Sequence, residues 1–213
     1  MISIAIDGPS GAGKSTISTE MARRFGFLHI DTGALYRAVA LHFSRGGDLS
    51  NIALTVDITD GVQKVRLDGK DVSAFIRTPE ISKLASDLSA LPEIRTFLLD
   101  TQRNFSKTAN VIMDGRDIGT VVLPNATLKI FLHATPEDRA RRRFEELFAK
   151  DPTTKYDEVL AQVKERDYND SHRALAPLKP AEEALIVDTT DNELEHTLEL
   201  MEKLIRKNLN PKA

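Results

Sequence analysis

A glycine-rich segment near the start of the chain, GPSGAGKST at residues 8–16, leaves few choices of architecture. It follows a short apolar run, ISIAI at 2–6, which predicts a buried strand, and it opens a helical pattern over 14–25. The segment matches the pattern G-x-x-x-x-G-K-[ST] at Gly8, Gly13, Lys14 and Ser15. A strand, this loop and a helix in that order predict an α/β fold with a phosphate-binding loop.

The residue types of this loop suit a nucleoside triphosphate. Glycines let backbone N–H groups converge on phosphate oxygens, and the start of the helix adds partial positive charge. The Lys14 ammonium would reach the β- and γ-phosphates, and the Ser15 hydroxyl would ligate Mg²⁺. The alternative is a glycine-rich turn that matches by chance, and the flanking strand and helix argue against it.

Short apolar runs alternate with helical patterns along the chain. Strands are predicted at 2–6, 27–30, 110–113, 128–134 and 184–188, and helices at 14–25 and 34–45. Uninterrupted apolar strands of this length are typical of a parallel sheet whose two faces are both covered by helices. The sequence therefore predicts an α/β protein built from βαβ units.

One segment interrupts this alternation. Residues 55–77 hold β-branched runs separated by turns at Asp60–Gly61 and Asp68–Gly69, which predicts a small antiparallel insertion. Linkers are predicted at 44–51 and 150–155, and the last four residues, NPKA, are expected to fray.

Composition narrows the class of protein. The 213 residues carry a net charge of −3, so nucleic acid is not an expected partner. The absence of cysteine excludes disulfides and thiolate metal sites and favours the cytoplasm. The N-terminus lacks a signal-peptide pattern, and no apolar run is long enough for a membrane helix. With no heptad pattern evident, we expect a monomer.

Charged residues cluster in four segments beside the predicted strands and helices. The first is DGRD at 114–117, directly after a buried strand, where a salt-bridged polar turn is the alternative. The second is DTGALYR at 31–37, whose Asp31, Thr32, Tyr36 and Arg37 lie where open α/β sheets bind ligands. There, Asp31 or Thr32 could instead simply cap the following helix.

The other two segments are arginine-rich helices. In TPEDRARRRFEELFAK at 135–150, helical geometry places Arg139, Arg142 and Arg143 within an arc of ~100°. In KERDYNDSHRALAP at 164–177, Arg166, Asp170 and Arg173 have i, i+4, i+7 spacing and share one face if helical. Solvated ion pairs, with Asp138, Glu145 and Glu146 in the first helix and within the second, are the alternatives.

The number of arginines indicates what accepts the phosphoryl group. Arg37, Arg95 and Arg116 add to the helical arginines on a chain of net negative charge. Bringing two phosphates together requires such neutralisation, which guanidinium groups provide bidentately. A hydroxyl acceptor needs a positioned general base, whereas a phosphate with a second pKa of about 6 is already a nucleophile at neutral pH.

Five segments together resemble the bacterial cytidylate kinases, a family of nucleoside monophosphate kinases. They are GPSGAGKST, DTGALYR, MDGRDIGTVVLPNA, KERDYNDSHRALAPLKPA and IVDTT, and they span nearly the whole chain in the family order. The resemblance implies ATP-dependent phosphorylation of CMP and dCMP with Mg²⁺. It also implies a five-stranded parallel sheet with helices on both faces, a small antiparallel insertion and a helical lid.

The resemblance divides a single kinase unit, 1–213, into three parts. The core comprises residues 1–30, 107–138 and 172–213. The acceptor region comprises residues 31–106 and includes the insertion 55–77. The lid and its flanking helix comprise residues 139–171. The implied ATP-binding residues are Gly8, Pro9, Ser10, Gly11, Ala12, Gly13, Lys14, Ser15 and Thr16. The implied acceptor residues are Thr32, Tyr36, Arg37, Ser86, Arg95, Arg116, Asp117, Arg166, Asp170 and Arg173. Arg139, Arg142 or Arg143 would contact the transferring phosphoryl group.

Cytosine chemistry suggests how these residues divide their roles. Its exocyclic amine is a donor, and its N3 and O2 are acceptors, so recognition needs a carboxylate and a guanidinium. Asp117, helped by the Ser86 hydroxyl, is the candidate carboxylate, and Arg95 is the candidate guanidinium. Arg116 would face the acceptor phosphate, and Asp114 would stay near the phosphate-binding loop and Mg²⁺.

Three other functions remain open at this point. A hydroxyl kinase of the shikimate or gluconate type would use Asp31 as a base or acceptor-binding residue. A different nucleoside monophosphate kinase, acting on UMP or AMP, is a second alternative. A nucleotide-dependent switch or motor usually shows a strand ending in Asp-Glu or an N-K-x-D motif, and neither occurs here.

Overall fold

We describe residues 1–59 and 61–209 of a computed structural model. Asp60, half of one predicted turn, and the predicted frayed end at 210–213 lie outside the described residues. In chain order the elements are β1 (Ser3–Asp7), α1 (Lys14–Phe25), β2 (Leu28–Asp31), α2 (Thr32–Ser44), β3 (Leu54–Thr59), β4 (Val62–Leu67), β5 (Lys70–Asp71), α3 (Pro79–Leu88), α4 (Pro92–Thr108), β6 (Val111–Gly115), a π-helix (Ile118–Val122), β7 (Leu128–His133), α5 (Pro136–Phe148), α6 (Tyr156–His172), β8 (Leu185–Asp188) and α7 (Leu194–Leu209).

Five strands form a parallel sheet in the order β2-β6-β1-β7-β8, as predicted. Alternate residues of β1 face opposite sides, because successive side chains in a strand point in opposite directions. Ile4 and Ile6 pack with α1 and α7 on one face, and Ala5 packs with the π-helix on the other. Helical layers therefore cover both faces, as the apolar strand pattern predicted.

The predicted strand ends were wrong by one or two residues at three carboxylates. The sequence pattern ended the strands before Asp7, Asp31 and Asp114, but β1, β2 and β6 continue through them. A carboxylate does not stop its own backbone from pairing, and here the side chains project where the strands end. The expected turn at 114–117 is consequently shorter, and a π-helix begins at Ile118.

The insertion is antiparallel as predicted, with the additional short strand β5 making the order β3-β4-β5. Asp68 and Gly69 both have positive φ angles, 51° and 75°, which is the requirement of a tight hairpin turn. A separate apolar cluster joins this sheet to α2, α3 and α4 through Val65, Leu67, Leu35 and Leu98, among others. This cluster shares no buried residue with the two clusters of the parallel sheet.

The helix that carries Arg166 and Asp170 ends before Arg173, earlier than the i, i+4, i+7 spacing predicted. α6 stops at His172, and Arg173 adopts an extended conformation with φ −62° and ψ 141°. Arg173 therefore approaches Asp117 from a loop and not from the helix face shared by Arg166 and Asp170.

Candidate active site

The phosphate-binding loop joins the end of β1 to the start of α1. Gly8 has a φ of 151°, and a Cβ at this position would lie 2.2 Å from the Leu132 carbonyl oxygen, so no other residue fits. The helix begins at Lys14, whose Nζ donates to the Pro9 carbonyl at 2.7 Å. Burial, together with the nearby Arg116 guanidinium, holds the pKa of Lys14 well below its usual value.

Asp7 connects this loop to the segment that follows β6. Its buried carboxylate accepts hydrogen bonds from the backbone N–H groups of Ile118 at 2.8 Å and Gly119 at 2.7 Å. Burial raises the pKa of Asp7 to about 6, against the opposing effect of these hydrogen bonds. The start of the π-helix, and with it Asp117, is thereby fixed relative to the phosphate-binding loop.

Asp31, at the end of β2, caps a helix and also anchors two arginines. One carboxylate oxygen accepts from the Ala34 N–H at 3.0 Å, and the other pairs with Arg37 at 2.8 Å and Arg77 at 3.4 Å. Burial alone would raise the pKa of Asp31, yet Arg37 and Arg77 hold it below its ordinary value. The contact with Ala34 confirms that Asp31 caps the helix, and its place in a ligand site stays a prediction.

A buried ion pair joins Arg95 of α4 to Asp117. Arg173 also approaches Asp117, at 3.7 Å, and donates to the Ser89 hydroxyl at 2.9 Å. Tyr36 lies under Arg95, with its ring centroid 6.0 Å from the guanidinium carbon. Burial raises the pKa of Asp117 despite its arginine neighbours. The structure thus brings these four predicted residues together at the carboxyl edge of the sheet.

A second buried carboxylate, Asp170 of α6, joins the remaining acceptor residues. Arg116 donates to it at 3.0 Å, Arg166 lies 4.0 Å away, and the Ser86 hydroxyl donates at 3.4 Å. Burial and the neighbouring Arg116 lower the pKa of Arg166 to about 10. In this structure the Ser86 hydroxyl, carried by α3, thus points to Asp170, and its help to Asp117 in binding the base stays a prediction.

Asp114 lies between β2 and α1, near the phosphate-binding loop. Its carboxylate contacts His29 Nε2 at 2.6 Å, and His29 Nδ1 contacts the Thr19 hydroxyl at 3.0 Å. The Thr19 hydroxyl donates to the Ser15 carbonyl at 2.8 Å. The Asp114 carbonyl in turn accepts from the Thr32 hydroxyl at 2.8 Å. This chain of contacts links two residues predicted to be near Mg²⁺, Ser15 and Asp114.

The three arginines of α5 have different partners in this structure. Arg139 is buried, donates to the Ser10 carbonyl at 3.0 Å and pairs with Asp167 of α6. Arg142 contacts Asp138 and the Thr189 carbonyl, whereas Arg143 pairs with Glu146 on the surface. Of the three, Arg139 contacts the phosphate-binding loop directly, whereas Arg142 reaches the Thr189 carbonyl.

Comparison with known proteins decides the family. A family model for cytidylate kinases matches residues 4–207. The chain belongs to the cytidylate kinase family.

Relatives in this family match along their full length. The cytidylate kinase of Caldicellulosiruptor saccharolyticus is 48% identical, covering 97% of this chain and 96% of the relative. That of Caldanaerobacter subterraneus subsp. tengcongensis is also 48% identical, with the same coverage. That of Pasteurella multocida is 42% identical over 100% of this chain and 98% of the relative.

Solved structures support the fold of this cytidylate kinase family member. An uncharacterized protein from Eubacterium ventriosum aligns with a TM-score of 0.57 at 11% identity, covering 97% of this chain and 99% of that one. Shikimate kinase from Bacteroides thetaiotaomicron aligns with a TM-score of 0.51 at 12% identity, covering 96% and 98%. At such identities the likeness concerns the fold alone.

In the part of the chain that the structure describes, no helix combines the length and apolar character needed to span a membrane.

Several polar residues of this cytidylate kinase family member were not predicted from the sequence. They are Asp7, His29, Gln63, Arg77 and Asp167. Asp7 carried a usable signal, since it directly follows a buried strand at the phosphate-binding loop. The signal at Gln63 was weaker: this polar residue shares one face of β4 with the buried Val65 and Leu67.

Proposed function

We propose that the chain transfers the γ-phosphoryl group of ATP to the phosphate of CMP or dCMP, giving ADP and the cytidine diphosphate. The observation that carries this proposal is the buried pair of Arg95 and Asp117. A guanidinium and a carboxylate side by side match the acceptor and donor groups on the edge of cytosine. Membership of the cytidylate kinase family supports the same substrate.

On the ATP side, Gly8 to Thr16 would hold the triphosphate against the start of α1. The Lys14 ammonium, already buried beside Pro9, would neutralise charge on the β- and γ-phosphates. Mg²⁺ bound with ATP supplies further charge stabilisation, and the Ser15 hydroxyl and Asp114 carboxylate would hold it. These oxygen donors fit Mg²⁺, which takes its other ligands from phosphate and water.

On the acceptor side, an oxygen of the CMP phosphate attacks the γ-phosphorus as the bond from that phosphorus to the β–γ bridging oxygen breaks. No general base is required, because the acceptor phosphate is already largely deprotonated at neutral pH. Arg37, Arg116 and Arg166 would neutralise the two phosphates as they approach. The proposed acceptor residues are Thr32, Tyr36, Arg37, Ser86, Arg95, Arg116, Asp117, Arg166, Asp170 and Arg173.

The chain would act as a single unit, 1–213, with three working parts. Core segments 1–30, 107–138 and 172–213 would carry the phosphate-binding loop, and 31–106 would bind the acceptor. Residues 139–171 would form the lid with its flanking helix, closing over ATP and excluding water that would otherwise take the phosphoryl group. The contact of Arg139 with Ser10 supports its role as the lid arginine nearest ATP.

We further propose that the protein is a monomer in the cytoplasm, where its nucleotide substrates are present. Size-exclusion chromatography with light scattering tests the first part, since a monomer has a mass of 23.6 kDa.

The deciding experiment measures ADP release from MgATP with a panel of acceptors. CMP and dCMP should support turnover, while UMP, AMP, GMP, shikimate and gluconate should support little, and chelating Mg²⁺ with EDTA should abolish it. Turnover with shikimate or gluconate but not CMP would overturn the proposal in favour of a hydroxyl kinase.

A further inference from the structure

The side-chain amide of Gln63 joins the inserted sheet to the parallel sheet. Its Oε1 accepts from the Asp31 N–H at 2.7 Å, and its Nε2 donates to the Asp31 carbonyl at 3.2 Å. β2 is the edge strand of the parallel sheet as far as the described residues show. The amide of Gln63 thus takes the place that a neighbouring strand's peptide group would occupy.

Asp31, whose backbone Gln63 binds, also anchors two guanidinium groups. While Gln63 binds the Asp31 backbone, the Asp31 carboxylate pairs with Arg37 of α2 and with Arg77, which follows the inserted sheet. Arg77 is well exposed, with 63% of its side chain accessible, so its guanidinium is open to an incoming anion. Buried Asp31 is therefore the point at which the insertion, β2 and α2 meet.

We propose that Gln63 is a positioning residue for the phosphate of the acceptor nucleotide. Its two hydrogen bonds fix the Asp31 backbone, and the Asp31 carboxylate then fixes Arg37 and Arg77 where that phosphate binds. Guanidinium–phosphate contacts depend on orientation, because two parallel N–H groups must meet two oxygens. The inference rests on the proposed function, since it requires a nucleoside monophosphate at this edge of the sheet.

Two substitutions separate this role from simple support of the fold. Gln63→Met keeps a side chain of similar length and removes both hydrogen bonds. Gln63→Glu keeps the acceptor, loses the donor and adds a negative charge facing the Asp31 carbonyl. Lys64→Met is the matched control, since its side chain lies on the opposite face of the same strand. The melting temperature of each variant establishes that it is folded during the assay.

The probes are CMP and cytidine, which differ only in the phosphate. Calorimetric titration gives the dissociation constant of CMP, and competition against CMP gives that of cytidine. Both Gln63 variants should bind CMP at least about fivefold more weakly, as expected for lost hydrogen bonds that orient charged groups. Cytidine affinity should stay within about twofold of the wild type, and Lys64→Met should match the wild type for both ligands.

Two results would overturn the inference. Equal weakening of CMP and cytidine would show that Gln63 supports the whole acceptor region without selecting its phosphate, and unchanged CMP affinity in both folded variants would show no role. A wild-type protein that binds no CMP would instead overturn the proposed function, and the inference with it.

Discussion

Arg95 and Asp117 form an ion pair in which only 10% and 6% of the two side chains are exposed. Removing two charges from water costs more than their attraction commonly returns, so such a pair is a poor means of stabilising a fold. A ligand whose hydrogen-bonding edge matches both groups provides a better reason for the pair. Cytosine, with an amine donor beside two acceptors, is such a ligand.

Asp117→Asn should weaken discrimination between cytosine and uracil. The amide no longer offers a charged acceptor to the cytosine amine, and it no longer places a charge against the uracil O4 oxygen. We expect the ratio of kcat/KM for CMP over UMP to fall at least about tenfold, mainly through loss of activity with CMP. Asp100→Asn, on the exposed face of α4, is the control. If Asp117→Asn still discriminates fully between CMP and UMP, a salt-bridged polar turn explains residues 114–117 better than base recognition does.

Replacing Lys14 should separate activity from stability. Burial lowers the pKa of Lys14, so the folded state disfavours its charged form and the ammonium is a poor source of stability. Lys14→Ala and Lys14→Met should drop below about a tenth of the wild-type kcat, because both remove the charge that would neutralise the phosphates. Lys14→Met should melt no lower than the wild type. If either variant keeps more than about a tenth of the wild-type kcat, the assignment of the phosphate-binding loop is contradicted.

Asp7 should make stability depend on pH in an unusual direction. Its pKa is about 6 when folded and 3.8 in its ordinary state, so the folded protein holds this proton more tightly. The resulting stabilisation is present at low pH and is lost as the pH rises through this window. Between about pH 4 and about pH 7, the free energy of unfolding relative to Asp7→Asn should fall by roughly 2–3 kcal/mol. Urea titrations of both proteins, with Asp100→Asn as control, measure this difference, and a difference independent of pH would disprove it.

Residues 139–155 should become protected when both nucleotides bind. Closure of this segment would bury backbone amides that exchange readily in the free protein. Hydrogen–deuterium exchange followed by mass spectrometry should show slower exchange with CMP and a non-hydrolysable ATP analogue together than with either alone. Helix α7 serves as the internal reference. Unchanged exchange in 139–155 would indicate that Arg142 and Arg143 remain paired with Asp138 and Glu146.

Local patterns predicted the parts of this protein that depend on local geometry. The phosphate-binding loop is a short run whose glycine and lysine positions follow from its backbone conformation, so the motif placed α1 at Lys14 correctly. The parallel sheet followed from short apolar runs, with errors of one residue at several strand ends and of up to two where a strand passes through a carboxylate. The antiparallel insertion followed from its turn residues, although β5 was too short to detect.

Partners distant in sequence could not be predicted in the same way. Asp7 binds the N–H of Ile118, 111 positions away, and Ser86 contacts Asp170 across 84 positions. No periodicity relates such residues, since their meeting depends on how whole helices pack. The arginines of α5 illustrate the same limit, since a helical projection does not show that Arg139 pairs with Asp167 of α6 while Arg143 pairs with Glu146.

The separate apolar cluster of the inserted sheet, α2, α3 and α4 has a consequence for how the protein is expected to unfold. Because that cluster shares no buried residue with those of the parallel sheet, its helices can loosen as a cooperative unit while the sheet remains intact. Substitutions within it, such as at Leu35 or Leu98, are then expected to alter this partial unfolding more than global unfolding. Such partial unfolding would open the acceptor region while the phosphate-binding loop stays anchored on the parallel sheet.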